Sequence, residues 1–160
     1  MRGFWKWMIL AVWLVCFQAY GQNTKAPSKS PWTGTWTLDA AASKFGPHPL
    51  PNLKLEIAQA DNSFVKWAAS SPDANGTVST ETWEGKPDGT PHPVLFEGKE
   101  IAQASYTWPS AEMLRGEAIS PNGKSETITF QLTPDGRSLT LSRHVKRSDG
   151  GFDEVLLFRR

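Results

Sequence analysis

Clusters of turn-forming residues divide most of this chain at short, regular intervals. Each cluster supplies glycine, asparagine or aspartate, which tolerate a positive φ, or proline, which presets a turn. The clusters lie at residues 61–62, 72–76, 86–89, 120–123, 133–136 and 148–151. Because the segments between the clusters are short, this pattern is typical of a series of strands joined by tight connections.

The segments between the clusters are rich in threonine, valine, isoleucine, leucine and aromatic residues, which favour strands. We predict ten strands, near residues 33–39, 52–60, 63–69, 77–84, 92–96, 101–108, 111–119, 124–132, 137–147 and 152–160. No stretch keeps a helical apolar period long enough for a packed helix, although residues 39–45 could form one turn. Many short strands at even spacing are typical of a sandwich or a closed barrel. The pattern predicts an all-β domain without choosing between these two.

The N-terminus has the features of an export signal. Arg2 and Lys6 form a positive n-region, and an apolar run of 11 residues follows at 7–17. Small residues then occupy the two positions that signal peptidase reads, so we expect residues 1–21 to be a signal peptide cleaved before Gln22. A membrane anchor is the alternative, but the run is shorter than the roughly 20 residues needed to span a bilayer.

The chain after the signal has no cysteine and almost no net charge. Cys16, the only cysteine, lies inside the signal, and bulky residues before it disfavour lipidation. Without the two basic residues of the signal, 15 basic residues stand against 16 acidic ones, which gives no polycationic surface for nucleic acid. An exported domain without disulfides needs a substantial apolar core. We expect a flexible lead-in at 22–31 and one domain at 32–160, periplasmic or secreted, with no membrane span after cleavage.

Short motifs at the start of the domain carry a family resemblance. Gly34-Thr35-Trp36 resembles the Gly-x-Trp signature of lipocalins and the wider calycin group. The run 34–39, followed by Ser43-Lys44-Phe45, is similar to the opening of small exported bacterial lipocalin-like domains, and the run 134–140 also looks like their pattern. The resemblance implies an antiparallel up-and-down barrel of roughly 8–10 strands. It also implies that Trp36 lies near the closed end under an arginine of the last strand, for which Arg159 and Arg160 are available.

The segment Pro91-His92-Pro93 departs from this pattern. Proline cannot donate a backbone hydrogen bond to a neighbouring strand, so within sheets it is confined to edges, first residues and bulges. We therefore expect this part of the chain to be a sheet edge or a loop rather than a regular barrel strand.

Turn lengths predict which residues share the barrel interior, because side chains alternate between the two faces of a strand. Four-residue loops at 133–136, 120–123 and 148–151 pair Phe130 with both Met113 and Leu139. On that register the inner face runs from an apolar end to a charged end: Met113, Phe130 and Leu139 first, with Arg160 beside them, Arg115 in the middle, and Glu117, Glu126 and Arg143 last.

A layered interior of this kind indicates a small-molecule cavity, apolar in its depth and charged at its rim. Met113 and Phe130 would line the depth, while the rim would orient the polar head of a lipid-like or other partly apolar ligand. The rim residues are Arg115, Glu117, Glu126 and Arg143. A one-residue slip is the open alternative, since it turns these charges to solvent and an inward charge is costly unless paired.

The other candidate sites are weaker. The histidines at 48, 92 and 144 lack a metal-ligand spacing, a haem site has no support, and we expect no metal or other cofactor. After cleavage the chain has no nucleophile elbow, phosphate loop or cysteine nucleophile. Glu117 and Glu126 could form a carboxylate pair for acid–base work, but Arg143 beside them favours a structural ion cluster.

Tryptophans in strands belong mostly to cores. A three-residue loop at 61–63 would pair Trp67 with Ile57, whereas Trp83 and Trp108 are candidates for cavity or surface contacts.

Three functions remain open from the sequence. We favour an exported, monomeric, lipocalin-like protein that binds a small, partly apolar ligand and is not an enzyme. The first alternative is a structural or interaction module of the cell envelope whose barrel is filled. The second is an enzyme that uses the inward charged cluster. An interior without room for a ligand would favour the filled module.

Overall fold

The computed structural model describes residues 30–148 and 150–160. The predicted signal peptide at 1–21, its cleavage site and most of the lead-in at 22–31 lie outside these residues. Ten strands are connected in chain order: β1 (Gly34–Leu38), β2 (Lys54–Ala60), β3 (Val65–Pro72), β4 (Val78–Gly85), β5 (His92–Phe96), β6 (Lys99–Ser110), β7 (Met113–Ile119), β8 (Ser125–Leu132), β9 (Ser138–Arg147) and β10 (Gly150–Arg159). One turn of 3₁₀ helix, Ala40–Ala42, follows β1. In the described part of the chain, no helix has the length and apolar character needed to cross a membrane.

The ten strands form a closed antiparallel barrel. Each strand pairs with its neighbours in sequence, and β1 pairs with β10 to close the ring. The closing ladder is short, with Thr37 opposite Arg159 and Leu38 opposite Phe158. Closure pairs both sides of each of these ten strands, which removes the exposed edges that an open sheet would present. The prediction of an all-β, up-and-down barrel is confirmed, and a sandwich is excluded.

The prolines around β5 do not interrupt the barrel, so the expectation of an edge or loop at Pro91-His92-Pro93 was wrong. β5 pairs with β4 through three residues, Val94, Leu95 and Phe96, and with β6 over its whole length. Pro93 lies beyond the ladder with β4, where a backbone N–H is not required on that side. A short ladder is therefore enough for closure.

The register of the last three strands differs from the prediction by two residues. Phe130 lies opposite Leu141 rather than Leu139, and Leu156 lies opposite Leu141 rather than Arg143. A shift of two residues keeps every side chain on its original face. The inner faces of β8, β9 and β10 are therefore the predicted ones.

The register of β7 against β8 differs from the prediction by one residue, which reverses the face of β7. The connection holds five residues, 120–124, and the Ser120 N–H donates to the Lys124 carbonyl at 2.9 Å. Leu114 therefore lies opposite Phe130. The buried positions of β7 are Leu114, Gly116 and Ala118, whereas Met113, Arg115 and Glu117 point outward. Their predicted inward placement was wrong because one added loop residue exchanges the two faces of a strand.

Aromatic side chains fill the middle of the barrel. Trp83 packs edge-on against Tyr106, with 4.6 Å between the ring centroids. A Cβ at Gly116 would lie 2.4 Å from atoms of the Tyr106 ring, so glycine is what lets this ring lie against β7. Trp67 lies opposite Ile57, as predicted, although a β-bulge after Ile57 accompanies the pairing.

Candidate functional site

One end of the barrel is closed by tryptophans and the C-terminal arginine. The fully buried Trp36 donates its indole N–H to the Trp32 carbonyl at 3.0 Å, and Trp32 donates its own to the Ala111 carbonyl at 2.9 Å. The guanidinium of Arg160 lies 4.1 Å from the centroid of the Trp36 ring and donates a hydrogen bond to the Pro31 carbonyl. These contacts tie the lead-in, β1 and the C-terminus together across the barrel end.

The neighbouring arginine has a different partner. Arg159 points outward and donates from Nε to Oδ2 of Asp39 at 2.9 Å. This hydrogen bond lowers the pKa of Asp39. Of the two terminal arginines, Arg160 covers Trp36 and Arg159 fastens the segment after β1 to β10.

The opposite half of the barrel contains a cavity of about 290 Å³. Its deep wall is aromatic, formed by Trp67, Tyr106 and Phe130. Above these rings the lining is aliphatic or small: Leu53, Leu55, Ala69, Ser71, Ser79, Ile128, Leu141 and Leu156. Leu50, Pro72 and Phe96 complete the lining, together with four charged residues, Asp73, Glu81, Glu126 and Arg143. The space is therefore mainly apolar and has one charged region.

The aromatic wall separates the cavity from the closed end. Trp67 and Phe130 also line a second void of about 10 Å³, on the side of Trp32 and Leu114. A void of that size has room for about one water molecule, so the barrel is packed beneath the two rings. The barrel is thus filled in one half and hollow in the other.

The charged region contains an ion cluster centred on Arg143. Its Nη2 lies 3.3 Å from Oε2 of Glu126, and its Nη1 lies 3.5 Å from Oε1 of Glu154. Glu126 also pairs with Lys124, and Glu154 accepts the Gly46 N–H at 3.2 Å. Two cations and two carboxylates therefore balance each other.

Glu81 is the carboxylate in this region without an ion pair among the described residues. It lies on β4, opposite Ala69 on β3 and Phe96 on β5. Burial raises the pKa of Glu81, an effect that the charge of Arg143 opposes and that of Glu126 reinforces. The cavity thus contains one partly buried carboxyl group whose charge is not neutralised by direct contact.

Two polar groups of the aromatic wall also lack partners within the described chain. The indole N–H of Trp67 and the phenol oxygen of Tyr106 are buried without a hydrogen bond. Burial, together with the negative charge of Glu81, raises the pKa of Tyr106, so the phenol remains protonated. The Trp67 indole opposes part of this rise in the pKa of Tyr106, so the two polar groups lie close to each other.

The structure brings together only part of the residue set predicted from sequence. Glu126, Arg143 and Phe130 line the cavity, whereas Met113, Arg115 and Glu117 lie on the outer face of β7. The possible Glu117–Glu126 carboxylate pair is therefore absent. Neither Trp83 nor Trp108 is part of the lining: Trp83 donates to the Ala104 carbonyl at 3.1 Å, and Trp108 packs against Trp32 with 5.0 Å between centroids.

Sequence analysis missed Glu81, Glu154, Trp67 and Tyr106 as parts of this half of the barrel. A signal existed for the two carboxylates. Glu81 lies two residues before Trp83 on β4, and Glu154 lies two residues before Leu156 on β10, so each carboxylate shares a strand face with a core residue. No comparable signal marked the cavity, since its size depends on which side chains from distant strands face each other.

The histidines do not form a metal site in the described chain. His144 is exposed and its Nδ1 lies 2.6 Å from Oδ1 of Asp153 on the outer face. Within residues 30–148 and 150–160, no group of three or more His, Cys, Asp or Glu side chains is placed to hold a metal ion.

Comparison with known proteins adds little to this geometry. No protein-family model matches the chain, and no curated protein matches it. Among solved structures, a redesigned β-barrel superposes with a TM-score of 0.48 and 11% sequence identity, covering 82% of this chain and 92% of that one. The strand pairing of the chain itself establishes its architecture as a closed, ten-stranded, antiparallel up-and-down β-barrel.

Proposed function

We propose that this protein is an exported, lipocalin-like carrier or receptor that binds a small, partly apolar molecule in the cavity. The observation that carries the proposal is a cavity of about 290 Å³ that is apolar on most sides and charged on one. Ligand sites are typically concave, mostly apolar and equipped with a few polar groups that orient the ligand.

The size of the cavity suits a small ligand. It is about twice the engineered cavity of roughly 150 Å³ that binds benzene in another protein, and it lies just below the range for ligand sites, roughly 300–1,000 Å³. A molecule of one ring or a short alkyl chain with one polar head matches this space better than a long-chain lipid does.

The choice of side chains supports a binding role over a filled barrel. Unfilled space in a core costs roughly 24 cal/mol per Å³ in lost packing. The chain nevertheless has small residues at three positions that line the cavity, Ala69, Ser71 and Ser79, whereas the other half of the barrel is packed with tryptophan, leucine and phenylalanine. The alternative of a structural or interaction module with a filled barrel therefore agrees only with the closed half of the barrel.

Three further parts of the proposal rest on the sequence. Export to the periplasm or out of the cell rests on the signal at residues 1–21. Membership of the lipocalin-like group rests on the resemblance at Gly34-Thr35-Trp36. A monomeric, non-enzymatic role is the expectation from the sequence. The ion pairs that engage Glu126, Arg143 and Glu154 support the non-enzymatic part.

Two adjacent substitutions on β3 test the binding site. Ala69→Phe places a ring in the cavity, whereas Ala68→Phe places the same ring on the outer face of the same strand. We expect the wild type and Ala68→Phe to bind 1-hexanol, measured by amide chemical-shift changes in NMR titrations. Ala69→Phe should weaken this binding at least about tenfold, since the ring takes the space of the probe.

Native mass spectrometry of protein purified from its own host completes the test. We expect a small molecule bound to the wild type and to Ala68→Phe, and absent from Ala69→Phe. A folded Ala69→Phe protein that keeps both hexanol and the co-purified molecule would show that the cavity is not the binding site.

A further inference from the structure

The charged region of the cavity has a surplus of negative charge. Lys124 and Arg143 are matched by Glu126 and Glu154 in direct ion pairs. Glu81 remains, without an ion pair in the described chain. Asp73, at the mouth, already accepts the N–H groups of Asn75 and Thr77 at 2.8 and 2.9 Å. Glu81 is therefore the acidic group of the lining that is left to interact with a ligand.

Aromatic rings form the wall next to this carboxyl group. Phe130 lies 6.4 Å from Trp67 and 6.2 Å from Tyr106, measured between ring centroids, and neither pair is stacked face to face. The register places Glu81 opposite Ala69, two residues from Trp67 on the same face. The electron-rich faces of such rings attract cations, most strongly where water is excluded.

A carboxylate and aromatic rings around one cavity are the groups that recognise an organic ammonium ion. Building on the proposed binding function, we propose that the ligand is a small organic ammonium compound. Its positively charged nitrogen contacts Glu81, and its apolar body lies against Trp67, Tyr106 and Phe130. Arg143 does not repel such a ligand strongly, because Glu126 and Glu154 hold and neutralise its guanidinium.

Three probes with the same six-carbon chain separate this proposal from general apolar binding. They are hexylammonium, 1-hexanol and hexanoate, each titrated by NMR or calorimetry at neutral pH. We expect hexylammonium to bind at least about tenfold more tightly than hexanol, because its ammonium group gains a charge-assisted contact with Glu81. Hexanoate should bind more weakly than both, because its carboxylate meets the negative charge of Glu81.

Glu81→Gln removes the charge but keeps the size of the side chain, and the amide requires no buried charge, so the variant should fold. It should reduce the hexylammonium preference to about twofold or less while leaving hexanol binding nearly unchanged. Glu84→Gln is the matched control: Glu84 lies on the same strand but points outward to Lys66 at 2.7 Å, and its loss should change neither affinity.

The outcomes separate the two proposals. If hexanol binds and Ala69→Phe blocks it, but hexylammonium has no advantage or keeps its advantage in Glu81→Gln, the ammonium proposal is refuted and the binding function stands. If none of the three probes binds and no molecule co-purifies from the host, both proposals fail.

Discussion

Replacing Arg143 with methionine tests whether the ion cluster holds the hollow half of the barrel together. Methionine keeps a long unbranched side chain but removes the guanidinium that links Glu126 on β8 to Glu154 on β10. The structure predicts that the two carboxylates then lose a shared partner in a poorly hydrated region. Glu126 keeps Lys124, while Glu154 keeps, among the described residues, only the Gly46 N–H.

The size of the effect follows from the burial of the carboxylates. Their side chains are 14% and 9% exposed, and that of Arg143 is 29% exposed. Removing one partner of a fully buried ion pair costs about 3–5 kcal/mol. Here the nitrogen–oxygen distances are long, 3.3 and 3.5 Å, and Lys124 compensates one carboxylate. We therefore expect Arg143→Met to lower the free energy of unfolding by about 2–3 kcal/mol.

Urea unfolding of the mature chain at neutral pH measures this difference, with Arg115→Met as the matched control. Arg115 makes no ion pair in the described chain and points outward on β7, so its loss should change stability by no more than about 0.5 kcal/mol. Adding Glu154→Gln to Arg143→Met should restore part of the loss, because the unpaired carboxylate is then removed. Equal stabilities of Arg143→Met and Arg115→Met would refute the inward ion cluster.

Two further predictions concern the lone carboxylate and the closed end. Burial raises the pKa of Glu81 above its ordinary value of 4.5, a shift that Arg143 and Lys124 oppose and Glu126 reinforces. The wild type should therefore lose stability relative to Glu81→Gln as the pH rises from 4.5 through the raised pKa. Thermal melts across a pH series should show equal stabilities near pH 4 and a more stable variant near pH 8, and a pH-independent difference would contradict this. At the closed end, Trp36→Phe should cost about 2–4 kcal/mol in chemical unfolding, since it leaves a gap and the Trp32 carbonyl without its donor. Arg160→Ala should cost only about 0.5–1 kcal/mol, and the reverse order would show that Arg160 rather than Trp36 closes the barrel.

The fold could be predicted from sequence because its signals are local. Turn clusters mark six of the nine connections between consecutive strands, and the predicted and observed strands agree within a few residues at nearly every end. Closure of the barrel had no local signal in the sequence, because the ladder between β1 and β10 joins the two ends of the domain through two residue pairs. It was implied by the resemblance at Gly34-Thr35-Trp36, and the strand pairing establishes it.

The composition of the site could be predicted only where errors in loop length were even. The connections around β9 differ from the assumed four residues by two, and the inward positions of Phe130, Glu126 and Arg143 survived this error. The connection before β8 differs by one, and this single residue moved Arg115 and Glu117 to the outer face.

Two turns of nearly identical chemistry show why the sequence did not reveal this difference. Ser-Pro-Asn-Gly and Thr-Pro-Asp-Gly both close a tight turn with glycine at positive φ, at Gly123 and Gly136. Across the first turn, the Ser120 N–H donates to the carbonyl four residues later, that of Lys124. Across the second turn, the Thr133 N–H donates to the carbonyl five residues later, that of Ser138. The Thr133 hydroxyl accepts the Ser138 N–H at 3.0 Å, a contact that favours the longer connection. This contact lies at the turn whose register keeps the predicted faces, whereas the five-residue connection before β8 exchanges the faces of β7. The charge lining of this cavity therefore depends on turn geometry as much as on strand composition.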